Sequence, residues 1–186
     1  MPSAASAQEN ILKVNVLSPA VRTGSLFYEY AFGRNATLQF GLLYTGMKNN
    51  ETVARGFAFT PEYRYYLSKK KSVLKGAYVA GYLRYQNLGF SKDRLATYTF
   101  TDTITGITTT TEVNETAEAE LVTWGGGVLI GTQTIFKNKL TLDAFIGPGY
   151  NSGDVEHKDE KHDVEFNTKL WHGITIRFGV AIGLAF

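Results

Sequence analysis

Apolar and polar side chains alternate with a period of two along most of this chain, and no stretch repeats its apolar positions every three or four residues. That period belongs to an extended strand with two chemically different faces, so the pattern predicts strands from end to end. It is clearest at the C-terminus. There Ile174, Ile176, Phe178, Val180, Ile182, Leu184 and Phe186 share one face, and Thr175, Arg177, Gly179, Ala181, Gly183 and Ala185 share the other. A slip of one residue would exchange the two faces completely.

Seven more segments read the same way. Residues 11–18 set Leu12, Val14 and Val16 against Lys13 and Asn15, and residues 25–32 set Leu26, Tyr28, Tyr30 and Phe32 against Glu29. Residues 37–47 oppose Leu38, Phe40, Leu42 and Tyr44 to Gln39, Gly41 and Thr45. Residues 57–67 oppose Phe57, Phe59, Tyr63, Tyr65 and Leu67 to Thr60, Glu62, Arg64 and Tyr66. Residues 77–90 carry Val79, Leu83 and Tyr85 opposite Tyr82, Arg84 and Gln86, and residues 120–136 carry Val122, Trp124, Val128 and Ile130 opposite Gly125, Gly127 and Gln133. Residues 140–150 place Leu140, Leu142 and Ile146 opposite Thr141, Asp143 and Gly147. Each of the eight is near the ~9 to 11 residues that a tilted strand needs to cross a bilayer.

The connections alternate in length. Residues 33–36 and 137–139 are tight and residues 68–76 are short and basic, whereas 19–24, 48–56, 91–119 and 151–167 are mostly longer. Short turns at one end and longer loops at the other are the habit of bacterial membrane barrels, and an even strand number leaves both termini at the short-turn end. Within the loop 91–119, residues 97–111 keep alternating as Thr-rich chain around Ile104-Thr105-Gly106-Ile107. The expected form is a protruding hairpin, with a floppy loop as the alternative.

Alternation alone also permits a soluble barrel with its apolar face inward. Charge placement separates the two. Of 19 basic and 17 acidic side chains, seven fall mid-strand: Lys13, Glu29, Glu62, Arg64, Arg84, Asp143 and Arg177. All seven lie on the less apolar face, which is too poor in charge for the exterior of a soluble protein but suits a narrow interior. The opposite face carries aliphatic residues flanked by Tyr28, Tyr30, Tyr44, Tyr63, Tyr65, Tyr85 and Trp124, as a lipid-facing band with interfacial aromatics would. The reading is an all-β, eight-stranded, antiparallel up-and-down transmembrane β-barrel, with short periplasmic turns and longer extracellular loops. A soluble lipocalin-like carrier is the alternative fold.

Composition narrows the function classes. At 186 residues the chain suits one domain, and a net charge of +2 with no basic stripe gives no grip on nucleic acid. No cysteine is present, so disulfides, thiolate metal ligation and Cys nucleophiles are excluded. No window reaches the ~18 to 20 apolar residues of a membrane helix. Ala5-Ser6-Ala7 before Gln8 has the small-x-small form of a signal-peptidase site, so residues 1–9 are expected to be a leader remnant and periplasmic tail ahead of a barrel at 10–186.

The terminal run of Phe178, Val180, Ile182, Leu184 and Phe186 resembles the C-terminal signal by which outer-membrane barrels are recognised for insertion. Across residues 11–186 the chain resembles the small eight-stranded outer-membrane barrels, of the OmpX and OmpA membrane-domain kind. The run Thr60-Pro61-Glu62-Tyr63-Arg64-Tyr65-Tyr66-Leu67, a Lys-rich turn and then Tyr82-Leu83-Arg84-Tyr85-Gln86 is similar to an uncharacterised family of such barrels in Gram-negative bacteria. The resemblance implies an outer-membrane location, contact with membrane lipid and lipopolysaccharide, and delivery by the barrel-insertion machinery. It implies no activity.

Candidate chemistry is sparse. Glu62 and Arg64 can point into one lumen with the other five charges across it, and a salt-bridge network filling the barrel is the expected outcome; a gated ion path is the alternative. His157-Lys158-Asp159-Glu160-Lys161-His162-Asp163 gathers metal-capable groups without a recognised ligand spacing, so a solvated loop is expected and no metal or cofactor. The His-x-Ser arrangement of lipid A deacylases is absent, although His172 with Ser152 or Ser91 could assemble a hydrolytic site from separate loops. The functional expectation is a monomeric, non-enzymatic envelope barrel with a protein partner at loop 91–119. A lipid A-modifying enzyme and an accessory subunit of a larger complex are the alternatives.

Overall fold

The computed structural model describes residues 10–49, 52–67, 74–101, 103, 104, 106, 108–137, 139–157 and 172–186. The expected leader remnant at residues 1–9 lies outside them. Among the described residues eight strands form in chain order: β1 (Asn10–Asn15), β2 (Thr23–Ala31), β3 (Ala36–Asn49), β4 (Thr52–Tyr66), β5 (Gly76–Thr101), β6 (Thr108–Phe136), β7 (Leu140–His157) and β8 (Gly173–Ala185). Each pairs antiparallel with the next, and β8 returns to β1 with Ile11 opposite Ala185 and Asn15 opposite Ala181, which closes the barrel. Closure matters because it leaves no open sheet edge over the length that β1 spans.

Several strands outrun their sequence-based bounds. The loop expected at 48–56 is mostly strand, since β3 and β4 stay paired until Asn49 meets Thr52. Lys48 and Arg55 do not end the ladder because both side chains reach solvent at the rim. β7 likewise runs through residues 151–157 of the expected loop 151–167, up to the pair of Ala119 with His157. In the other direction, β1 stops at Asn15 rather than at residue 18. Asn15 Oδ1 accepts from the Leu17 N–H at 3.0 Å, and a 3-10 turn at Ser18–Val21 follows with Pro19 in its first turn. That turn exits through Arg22 in the left-handed region, φ 53°.

β5 and β6 are 26 and 29 residues long. β4 leaves β5 at the pair of Thr52 with Lys92, whereas β5 and β6 stay in register until Thr101 meets Thr108. Nine residues of β5 therefore continue past the wall as a two-stranded ribbon, about 30 Å at ~3.3 Å per residue.

Inward side chains stack in layers. Ile11, Leu74 and Ala185 close the short-turn end. Above them lies a layer of buried charge. A ring of Phe27, Tyr78, Tyr82, Leu129 and Phe145 covers that layer, and Leu88, Phe90 and Leu121 pack further out beneath the hairpin. The interior is thus more apolar than expected, because alternation reports which residues share a face and not how a narrow bore is filled. The bulky side chains fit where glycine leaves room: a Cβ at Gly127 or Gly149 would collide with the Tyr82 hydroxyl, one at Gly131 with Tyr78, and one at Gly179 with Phe145.

Candidate functional site

Two features of this fold gather chemistry: the charged layer in the lumen and the projecting ribbon. In the lumen, odd positions on β1, β2 and β7 and even positions on β4 turn inward, which carries Lys13, Glu29, Glu62, Arg64 and Asp143 to 0 or 1% exposure. Lys13 Nζ donates to Glu29 at 2.6 Å, to Asp143 at 2.8 Å and to the Gln133 side-chain carbonyl at 2.8 Å. Arg64 donates from Nε to Glu62 at 2.6 Å and from Nη1 to Asp143 at 2.7 Å, with Glu29 3.5 Å away. Arg177 Nη1 reaches the other Glu62 oxygen at 2.6 Å.

Neutral donors complete the carboxylates. Tyr66 and Thr37 donate to Glu29 Oε1 at 2.8 and 2.7 Å, and Tyr78 donates to Asp143 Oδ1 at 2.8 Å. The guanidinium of Arg64 lies 4.4 Å over the Tyr78 ring, and that of Arg177 lies 4.9 Å from the Tyr82 ring and 5.0 Å from Phe145. Buried charges are tolerable only when paired and hydrogen-bonded in this way. Tyr66, Tyr78 and Gln133 were not among the sequence candidates. Their inward parity was readable, but nothing in the sequence tells which inward tyrosine meets a carboxylate.

Six of the seven charges gathered by sequence therefore join one cluster. Arg84 does not. One layer further from the short turns, its Nε donates to Gln86 at 2.9 Å, and among the described residues it has no carboxylate partner. The cause is register: Arg84 sits two residues beyond Tyr82 on the same inward face of β5, and among the described residues it shares its cavity with Arg177 and with no carboxylate.

The ribbon is held by local pairs. Tyr98 donates to Glu115, Thr116 donates to Asp93 at 2.8 Å, and the hydroxyls of Thr101 and Thr108 lie 3.2 Å apart. Tyr98 and Phe100 stack with centroids 6.4 Å apart. Leu95, Phe100 and Ile104 remain exposed, Ile104 at 93%. Among the described residues the two strands of the ribbon, 93–101 and 108–116, pair with nothing but each other.

The remaining candidates are dispersed. His172 immediately precedes β8, beside the pair of Gly173 with Asn151, while Ser91 is on β5; among the described residues no hydrogen bond joins His172 to Ser91 or Ser152. The run at 157–163 lies outside the described residues beyond the backbone of His157, and among the described residues no three His, Asp or Glu side chains cluster as metal ligands do. Phe178, Ile182, Leu184 and Phe186 all point outward from the wall.

A family model described as "Protein of unknown function (DUF3575)" matches residues 1–183. No curated protein matches the chain. Among solved structures, the chain is similar to the N-terminal β-barrel domain of Pseudomonas aeruginosa OprF, with 13% identity, 96% of each chain covered and a TM-score of 0.44.

Proposed function

The chain belongs to the family of proteins of unknown function DUF3575, and we propose that it is an outer-membrane barrel that performs no catalysis and acts through its external ribbon. One observation carries the membrane reading: the barrel is inside out relative to a soluble protein. Five of its seven mid-wall charges are buried, whereas Leu83, Trp124, Val128 and Ile130 are exposed at 61 to 67%. In water an apolar belt of this extent would be an aggregation site; in a bilayer it is the surface that lipid wets. Where β1 closes the wall, the backbone groups are satisfied between strands, as hydrocarbon demands.

In this reading the short turns and the termini lie in the periplasm, and the ribbon projects outside a Gram-negative cell into the lipopolysaccharide layer. The outward face of Phe178, Val180, Ile182, Leu184 and Phe186 serves as the signal for the barrel-insertion machinery. The barrel itself is a monomer whose lumen is plugged at the level of the Lys13, Arg64 and Arg177 cluster, because the bore of an eight-stranded barrel is narrow enough for side chains to fill there. The ribbon offers two strand edges that pair with no third strand among the described residues, and an exposed Leu95, Phe100 and Ile104, to a protein partner, by addition of a strand.

Gel mobility of detergent-folded protein, boiled against unboiled, together with circular dichroism tests the barrel. A heat-dependent shift with β-type ellipticity is the expected result. A water-soluble species without the shift would overturn the membrane reading and return the lipocalin-like carrier.

A further inference from the structure

We infer that the outer half of the lumen binds a single-chain anionic amphiphile with a carboxylate head, the head held between Arg84 and Arg177 and the chain leaving sideways through a gap in the wall. The cavity there is about 580 Å³, within the ~300 to 1,000 Å³ typical of small-molecule pockets.

The charge count calls for an anion. Among the described residues the lumen carries Lys13, Arg64, Arg84 and Arg177 against Glu29, Glu62 and Asp143, so one positive charge is left over. The geometry assigns the excess to Arg84, because all three carboxylates are engaged in the layer below. A guanidinium enclosed by a barrel wall and lacking a carboxylate among the described residues favours a bound counter-anion, and its planar fork suits a carboxylate. Gln86, which accepts from Arg84, also lines the cavity and fixes the direction of that fork.

The wall supplies the exit. β1 is six residues long, and its pairing with β8 ends at Asn15 and Ala181, with one further bond from the Val16 N–H to the Val180 carbonyl at 2.8 Å. Above that point, residues 173–179 of β8 pair with β7 alone among the described residues, and Thr23 to Ser25 of β2 pair with β3 alone. The cavity accordingly reaches both faces of the wall. Its lining includes the inward Arg177 together with Leu17, Ile176 and Phe178, which belong to the apolar belt. A polar chamber that opens onto an apolar belt fits a ligand that is anionic at one end and hydrocarbon at the other. The aromatic ring of Phe27, Tyr82 and Phe145 floors the chamber, so the ligand is retained and does not cross the barrel.

The inference rests on the membrane reading only for where the ligand comes from. The test begins with barrel shown to be folded by its heat-dependent mobility, placed in nanodiscs of zwitterionic lipid. A protein that never shows the shift defeats the membrane reading before any ligand is added. Octanoate is then titrated against the ¹⁵N-labelled protein, with octanol and inorganic phosphate as controls. The expected result is saturable shifts at Asn15, Arg84, Thr175 and Arg177 with octanoate alone. Arg84→Gln and Gln86→Glu, the second placing a carboxylate beside Arg84, should each weaken binding by about tenfold or more. Equal response to octanol, shifts spread over the belt without saturation, or unchanged affinity in a folded variant would overturn the inference. Phosphate binding as tightly as octanoate would overturn the amphiphile in favour of a plain anion.

Discussion

Lys13 and Asp143 stand 130 positions apart in the chain, and β8 separates their strands in the wall, yet their side chains meet at 2.8 Å across the lumen. Both are shut off from solvent, at 0 and 1% side-chain exposure. The pair therefore acts as a strut between non-neighbouring strands, and because Asp143 also binds Arg64, the strut reaches from β1 through β7 to β4.

Removing that carboxylate should be costly. Asp143→Asn leaves Lys13 and Arg64 buried with one anionic partner fewer each, and breaking a buried pair from one side typically costs about 3–5 kcal/mol. Urea unfolding of the barrel in phospholipid vesicles measures it. A loss below about 1 kcal/mol, the scale of an exposed pair, would mean that water reaches the cluster.

The glycine seats make a sharper packing prediction. Gly149→Ala puts a methyl group where the Tyr82 hydroxyl lies, and overpacking of this kind costs about 1–3 kcal/mol. Tyr82→Phe removes the colliding oxygen, so the double variant should recover part of the loss. Strict additivity of the two substitutions in the same unfolding assay would show that Tyr82 swings clear by itself.

How far the sequence discloses all this depends on which interactions are local. Face assignment is a period-two property of neighbours, and it placed Leu12 outside and Lys13 inside without knowledge of any partner. Strand ends were less legible. Lys48 and Arg55 read as loop because charge marks solvent, and a rim strand satisfies solvent and ladder together. Asn15 was readable as inward, but the stop after it depends on an Asn15 to Leu17 hydrogen bond ahead of Pro19. The separation of Arg84 from the other six charges was not legible at all, because it is set by which layer each strand's register delivers across the bore.

The belt should respond to charge according to depth. Val128→Arg lies mid-wall and outward, where an arginine facing lipid costs about 2–4 kcal/mol. Ile104→Arg, at the exposed tip of the ribbon, should change stability by no more than about 0.5 kcal/mol. Folding yield into vesicles, read by the heat-dependent mobility shift, compares the two. Equal tolerance of both would remove the argument that Val128 faces hydrocarbon.

The ribbon should be separable from the barrel. Residues 93–101 and 108–116 pair only with each other among the described residues, so excising 93–116 and joining Lys92 to Ala117 through Asn-Gly keeps every wall pair from β4 to β7. An Asn-Gly linker favours the tight turn that such a junction needs. The shortened chain should retain its mobility shift and its urea midpoint, since an isolated two-stranded ribbon adds little stability of its own. It should lose the proteins that the full chain captures from the cell envelope, and Phe100→Glu should weaken that capture while leaving the ribbon in place. An identical set of captured proteins with and without the ribbon would move the interaction to the barrel wall or its other loops. Failure of the shortened barrel to fold would instead make the long β5 and β6 register the nucleus on which the wall closes.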